Sequence, residues 1–202
     1  EYGQGYYDIT PIRSTTSAGD VTFSASNGSS TITVSDPSHG AVVNDFVTFS
    51  GAVSLGGNIT AAVLNQEYQI ISVTDSSTYT IQARAAGTTS SITVDGQYSP
   101  TLVVANSSDS GNGGSSVVGA YQINVGLDTS VLGTGWGAGT WGRGTWNSAA
   151  SVDLITDTLR VWTHDNFGEN LLMNVMNGGI YYWQPSGGLS NNRAVAISSL
   201  AG

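Results

Sequence analysis

Apolar and polar positions alternate strictly over short runs for most of this chain, and that period of two predicts strands. Val21, Phe23 and Ala25 alternate with Thr22 and Ser24, "NGSS" at 27–30 supplies a turn, and "TITVS" resumes the alternation, which predicts a hairpin. "DFVTFS" at 45–50, "YQIISV" at 68–73 and "TYTIQAR" at 78–84 predict three further strands, the last two joined by the polar turn "TDSS". About six short strands of this kind make a small barrel or sandwich. One helix is predicted, a turn or two through "AAVLNQ", because Thr60 can accept a bond from an orphan amide and Ala and Leu favour helix.

A second β pattern runs from Leu159 to Ser198. "TLRVWTH" predicts a strand, "DNFGEN" a polar turn, "LLMNVM" a strand with Leu171, Met173 and Val175 on one face, "NGG" a tight turn, and "IYYW" and "RAVAIS" two more strands. Asn177 and Gly178 suit the positive φ angles of a primed turn. Four strands in about forty residues match one blade of a propeller repeat, and no second copy follows before Gly202. Neighbouring blades would bury Trp162, Tyr182 and Trp183 on both faces, and a lone blade leaves those faces exposed and its edges unpaired. The expectation is an assembly component or a piece of a longer polypeptide, within an all-β fold.

The chain divides into an extended Gly/Tyr arm at 1–18, carrying Tyr2 and Tyr6, and a small β-barrel or sandwich module at 19–104. A low-complexity linker, "ANSSDSGNGGSS", follows at 105–116, then a Gly/Trp ribbon at 117–152 and the blade at 153–202. The linker is too polar to offset the entropy of ordering it. In the ribbon, Trp136, Trp141 and Trp146 recur at intervals of five with glycines between them, a spacing that matches neither a helical face nor strand alternation. Two readings stand: aromatic pegs anchoring a glycine-hinged scaffold, or a row of platforms stacking on sugar rings.

Composition narrows the chemistry. The 202 residues contain no Cys and no Lys, so thiolate, disulfide, P-loop and Schiff-base chemistry are excluded. The two histidines, His39 and His164, stand far apart in sequence, which argues against a His-rich metal site. A net charge of −9 argues against tight binding to a phosphate backbone. There is neither a signal-peptide pattern nor an apolar run of about eighteen residues or more, so no membrane span is predicted. The chain begins at Glu1 without an initiator Met, which predicts processing or a partial sequence.

Candidate catalytic constellations lack their partners. His164 beside Asp165 would need further His and Asp ligands to form a phosphohydrolase centre. Asp165 and Glu169 flank a turn, where carboxylates cap backbone amides more often than they bind a cation. "SDSGNGG" at 108–114 lacks the G-x-S-x-G context of a hydrolase nucleophile, and Asp153 and Asp157 read as solvated loop residues as readily as an acid–base pair. No catalytic, cofactor or metal residue is assigned, and a non-enzymatic protein is expected.

"GWGAGTWGRGTW" followed by "LRVWTHDNFGENLLMNVMNGGIYYWQPS" resembles the N-terminal part of the tail nozzle or tail tubular proteins of short-tailed bacteriophages. The most specific match is Trp162, Asp165, Gly168, Glu169, Asn170 and Leu171, and "YGQGYYDITPIR" is similar to the arm that opens those proteins. The resemblance covers 1–17 and about 117–200; residues 19–95 resemble a small β module inserted in phage structural proteins. It implies a virion protein of the tail or head–tail vertex, forming a homo-oligomeric ring with other tail and portal-vertex proteins. Tyr2, Tyr6, Trp136, Trp141, Trp146, Trp162, Tyr182 and Trp183 would serve assembly and packing, and an acidic lumen would let DNA slide past. Family chains are several times longer and build a propeller that is missing here. The competing reading is a carbohydrate-binding or adhesive host-recognition module.

Overall fold

A computed structural model describes residues 8–87, 101–125, 161–188 and 192–199. Among them the chain is nearly all β, with twelve strands in three antiparallel four-stranded sheets. The strands are β1 (Ile12–Thr15), β2 (Thr22–Ala25), β3 (Thr31–Ser35), β4 (Phe46–Ser50), β5 (Glu67–Gln69), β6 (Ser72–Asp75), β7 (Thr78–Gln82), β8 (Val118–Gln122), β9 (Trp162–Phe167), β10 (Asn170–Val175), β11 (Ile180–Trp183) and β12 (Val195–Ala196). The one α-helix among the described residues, α1 (Ala61–Leu64), starts where predicted, with the Thr60 side chain accepting from the Val63 amide.

The first two sheets, ordered β1-β8-β4-β5 and β2-β3-β7-β6, share one core, so the module is a sandwich and no closed barrel forms among the described residues. Strand alternation puts Val47, Phe49, Tyr68 and Tyr121 of one sheet against Phe23, Ile32, Val34, Tyr79 and Ile81 of the other, all buried. Phe23 and Phe49 meet edge to face across the two sheets, centroids 5.0 Å apart. Val63 and Leu64 of α1, with Leu55 and Ile59, complete this core.

Three expectations change. "YQIISV" is two strands, β5 and β6, which belong to different sheets; Ile70 is buried at the corner between them. The stretch 105–116 lies against the sandwich instead of standing off it as a flexible linker. Phe23 N–H donates to the Asn112 carbonyl at 3.0 Å, Val53 N–H to Gly113 at 2.8 Å and Gly111 N–H to Leu55 at 2.7 Å. Its ordering comes from a buried carboxylate and from glycine: Asp109 is 4% exposed, and a Cβ on Gly113 would lie 2.5 Å from the Phe23 ring. Finally, β8, assigned to the ribbon, is an inner strand between β1 and β4, so residues assigned to the arm and to the ribbon both belong to this sandwich.

The third sheet, ordered β12-β11-β10-β9, is the predicted four-stranded meander. Its first turn is tighter than "DNFGEN": β9 runs through Phe167 and only Gly168 and Glu169 connect it to β10. Gly168 has φ +67 and Glu169 has no positive φ, as a two-residue turn with Gly in first place requires. At the second turn Asn177 has φ 60, whereas Gly178 has no positive φ. Gly178 is there for space, since a Cβ would fall 2.2 Å from Cγ1 of Val175.

Candidate functional site

Register sorts the C-terminal sheet into two faces. Trp162 lies opposite Val175, His164 opposite Met173, and Met173 opposite Tyr181; with Leu171 and Trp183 these residues line one face. Val175 and Met173 are buried there. The other face carries Asp165, Leu172 and Tyr182 in register, with Phe167, Asn174, Ile180 and Val195. On this second face Phe167 is 68%, Ile180 52% and Val195 43% exposed. An open groove of about 180 Å³ crosses it, lined in part by Thr163, Asp165, Leu172, Asn174 and Ile180.

The three described aromatics of the predicted set are half-buried, and their polar atoms are held locally. The Trp162 indole N–H donates to the Val125 carbonyl at 3.3 Å, and the Trp183 indole to the Asn192 carbonyl at 2.9 Å. The Tyr182 hydroxyl accepts from Asn170 at 2.5 Å and from Gln184 at 2.9 Å. These bonds fix the rings within the sheet and its flanking segments. Tyr2, Tyr6, Trp136, Trp141 and Trp146 lie outside the described residues, as do Asp153 and Asp157.

His164 and Asp165 are successive residues of one strand, so their side chains leave opposite faces and do not converge. Asp165 accepts from the Asn166 amide at 2.8 Å. Among the described residues no group of three His, Asp or Glu side chains is placed to hold a metal ion. Within 105–116, Asp109 accepts from the amides of Gly57 (2.9 Å), Asn58 (3.0 Å), Ile59 (2.9 Å) and Asn106 (2.8 Å). Burial alone would push its carboxyl up, but these donors outweigh it and hold the group below the usual carboxylate range.

A polar cluster that the sequence did not single out lies inside the sandwich. Tyr121 donates to Asp36, and Tyr79 and Tyr121 hydroxyls are 2.7 Å apart. His39 packs edge-on to Tyr79 with centroids 4.9 Å apart. Its Nδ1 accepts from the Ala41 amide at 3.0 Å, which leaves Nε2 to donate to the Asp75 carbonyl at 3.0 Å. Arg13 of β1 lies over the Tyr121 ring, pairs with Asp45 at 3.5 Å and donates to the His39 carbonyl at 3.3 Å. Asp36, His39 and Asp45 are all buried. The alternating pattern marks Tyr79 as a core position, but nothing in it pairs residues as distant in sequence as Asp36 and Tyr121.

No protein-family model matches the chain, and no curated protein matches it. Among solved structures, the chain is similar to the phage phi92 endosialidase at 18% identity and a TM-score of 0.30, over 92% of this chain and 24% of that one. This chain thus spans about a quarter of the length of that protein. A likeness of that depth assigns neither activity nor assembly to this chain.

Proposed function

We propose that the chain is a structural component of a bacteriophage virion, of the tail nozzle, tail tube or head–tail vertex, and that it acts without catalysis through oligomeric assembly. The observation that carries the assembly reading is the exposed apolar face of the C-terminal sheet, Phe167, Ile180 and Val195 around Leu172 and Tyr182. Burying one such side chain against a partner is favourable by about 1.5–3 kcal/mol, and an exposed cluster of them is costly to maintain in a protein that never uses it. The placement in a virion is supported by the resemblance of the Trp ribbon and of Trp162–Leu171 to the nozzle and tail tubular proteins. The meander is the connectivity of a propeller blade, and in this reading it packs against other blades.

Mass measurement by light scattering tests the proposal. A particle several times the 20.8 kDa of one chain is expected, and Phe167→Ser combined with Ile180→Thr is expected to dissociate it without unfolding the sandwich. A monomer at every concentration would overturn the assembly reading. Glycan-array binding abolished by Trp136→Ala or Trp141→Ala would replace it with the carbohydrate-binding one.

A further inference from the structure

Among the described residues the three sheets leave six edge strands, and five of them are blunted. β1 and β6 carry register shifts, β5 is three residues long and β12 two, and the Phe23 amide of β2 is taken by the Asn112 carbonyl at 3.0 Å. Beside β12 the Ala194 amide donates to the Ile9 carbonyl at 3.0 Å, which ties that flank to the sandwich. Short, bulged or covered edges do not recruit further strands. β9 has none of these protections. It runs six residues, pairs with β10 in unbroken register, contains neither Pro nor Lys, and is exposed from Thr163 to Phe167.

The ladder fixes which main-chain groups of β9 point outward. The Met176 amide donates to the Val161 carbonyl at 2.9 Å, and opposed residues of an antiparallel pair alternate between bonded and non-bonded. Val161, Thr163, Asp165 and Phe167 therefore bond toward β10, and Trp162, His164 and Asn166 face away. The outward Asn166 amide turns to the Asp165 carboxylate at 2.8 Å.

We propose that this edge is an interaction site whose occupant is β9 of a second copy of the chain, antiparallel and centred on His164. The strand is complementary to itself in that register. Trp162 of one copy falls opposite Asn166 of the other, His164 opposite His164, Thr163 opposite Asp165 and Val161 opposite Phe167. All three outward residues then meet outward residues, for about six main-chain hydrogen bonds, and the Thr163 hydroxyl donates to the Asp165 carboxylate. Val161 is 49% exposed and Phe167 more so, and each covers the other. Centring the pair on Asp165 instead would set two carboxylates opposite each other, and centring it on Thr163 would set Val161 opposite Asp165. A strand cannot pair with itself within one chain, so a self-complementary edge is satisfied only between copies; a strand of another protein would have to reproduce the pattern that a second copy supplies by symmetry. The two-fold axis keeps the faces aligned, and the exposed apolar face continues across both copies. The inference rests on the assembly reading above and adds an edge contact to it.

The chain has no cysteine, so single substitutions read the register. His164→Cys puts the thiol on the two-fold axis, with the two Cα atoms about 5.5 Å apart as in any bonded pair and within disulfide reach. Asp165→Cys is as exposed but meets Thr163. After oxidation at equal concentration, His164→Cys is expected to run mainly as a linked dimer, and Asp165→Cys to link severalfold less. Mixing Asp165→Cys chains with Thr163→Cys chains, one of them tagged to shift its mass, is expected to link the two different chains. Equal linkage of His164→Cys and Asp165→Cys would mean chance collision and overturn the pairing. No linkage in particles that light scattering shows to be assembled would overturn it while leaving assembly intact, and unlinked monomers at every concentration would overturn both. His164→Pro removes the outward amide at the axis and no bond to β10; it is expected to halve the particle mass with the circular dichroism unchanged, and an unchanged mass would also overturn the pairing.

Discussion

The hydroxyl of Tyr79 lies 2.7 Å from that of Tyr121, and Tyr121 passes its own proton toward Asp36, so two tyrosines and a carboxylate form a relay between the sheets of the sandwich. Because Tyr121 donates to Asp36, Tyr79 must donate to Tyr121, and the two positions are unequal. Tyr121→Phe takes a donor from a buried carboxylate, a loss of about 1–3 kcal/mol. Tyr79→Phe removes only the donor to a neutral oxygen, for about 0.5–1.5 kcal/mol. Denaturant unfolding of the two variants is expected to rank Tyr121→Phe as the more damaging; the reverse order would mean that Asp36 draws its support from elsewhere.

The same burial predicts an alkaline limit to stability. Tyr68, Tyr79 and Tyr121 are each pushed above the ordinary phenol value of 10.0, first of all by burial. The unfolded chain loses these protons near 10.0, and the folded chain keeps them. Below that pH the folded and unfolded states hold the same protons and stability is unaffected; above it the unfolded state binds fewer, and stability falls as pH rises. A phenolate absorbance titration is expected to show these three of the nine tyrosines ionising together with loss of the fold. Smooth ionisation of all nine near pH 10 with the fold intact would contradict the buried placement.

Asp109 acts at the opposite end of the scale. Its carboxyl is depressed on folding by four backbone donors. Its contribution is fully present above the ordinary value of 3.8 and is lost as pH falls through the lower folded value. Asp109→Ala is expected to cost about 3 kcal/mol near neutral pH, since four backbone amides, that of buried Ile59 among them, lose a charged acceptor together. The gap between wild type and variant is expected to narrow below pH 4; a constant gap down to pH 2 would show that the group does not titrate with unfolding.

Alternation made much of the fold legible. β2, β3, β4 and β7 fall where alternating Thr and apolar residues place them, the Thr60 cap was read from one side chain, and the meander from its turns. Two kinds of feature were not legible. Long-range pairing was one: Asp36 and Tyr121, or Ile9 and Ala194, carry no local mark of each other. The other was order in a polar segment, because composition reads "ANSSDSGNGGSS" as unable to bury apolar surface, whereas it is ordered by amides converging on Asp109 and by glycines that let the backbone approach. Of the predicted aromatics, Trp162, Tyr182 and Trp183 belong to the C-terminal sheet, but the apolar side chains it leaves open, Phe167, Ile180 and Val195, were not among them. Period-two alternation names a face without saying which face is covered.

The glycines provide the sharpest check on the packing of 105–116. Gly51 has φ +74, and a Cβ there would lie 2.1 Å from the Ser116 carbonyl oxygen, too close for any atom. Gly28 has nearly the same backbone, φ +81, but a Cβ on it meets nothing within 4 Å. Both Gly→Ala substitutions incur the left-handed strain of about 1–2 kcal/mol, and only Gly51→Ala must also push 115–116 away from the sandwich. Gly51→Ala is therefore expected to lose about 2 kcal/mol more than Gly28→Ala. It is also expected to raise amide exchange at Gly111 and Val53, whose bonds tie this segment to the sandwich. Equal losses with unchanged exchange would return the segment to the status of a free linker.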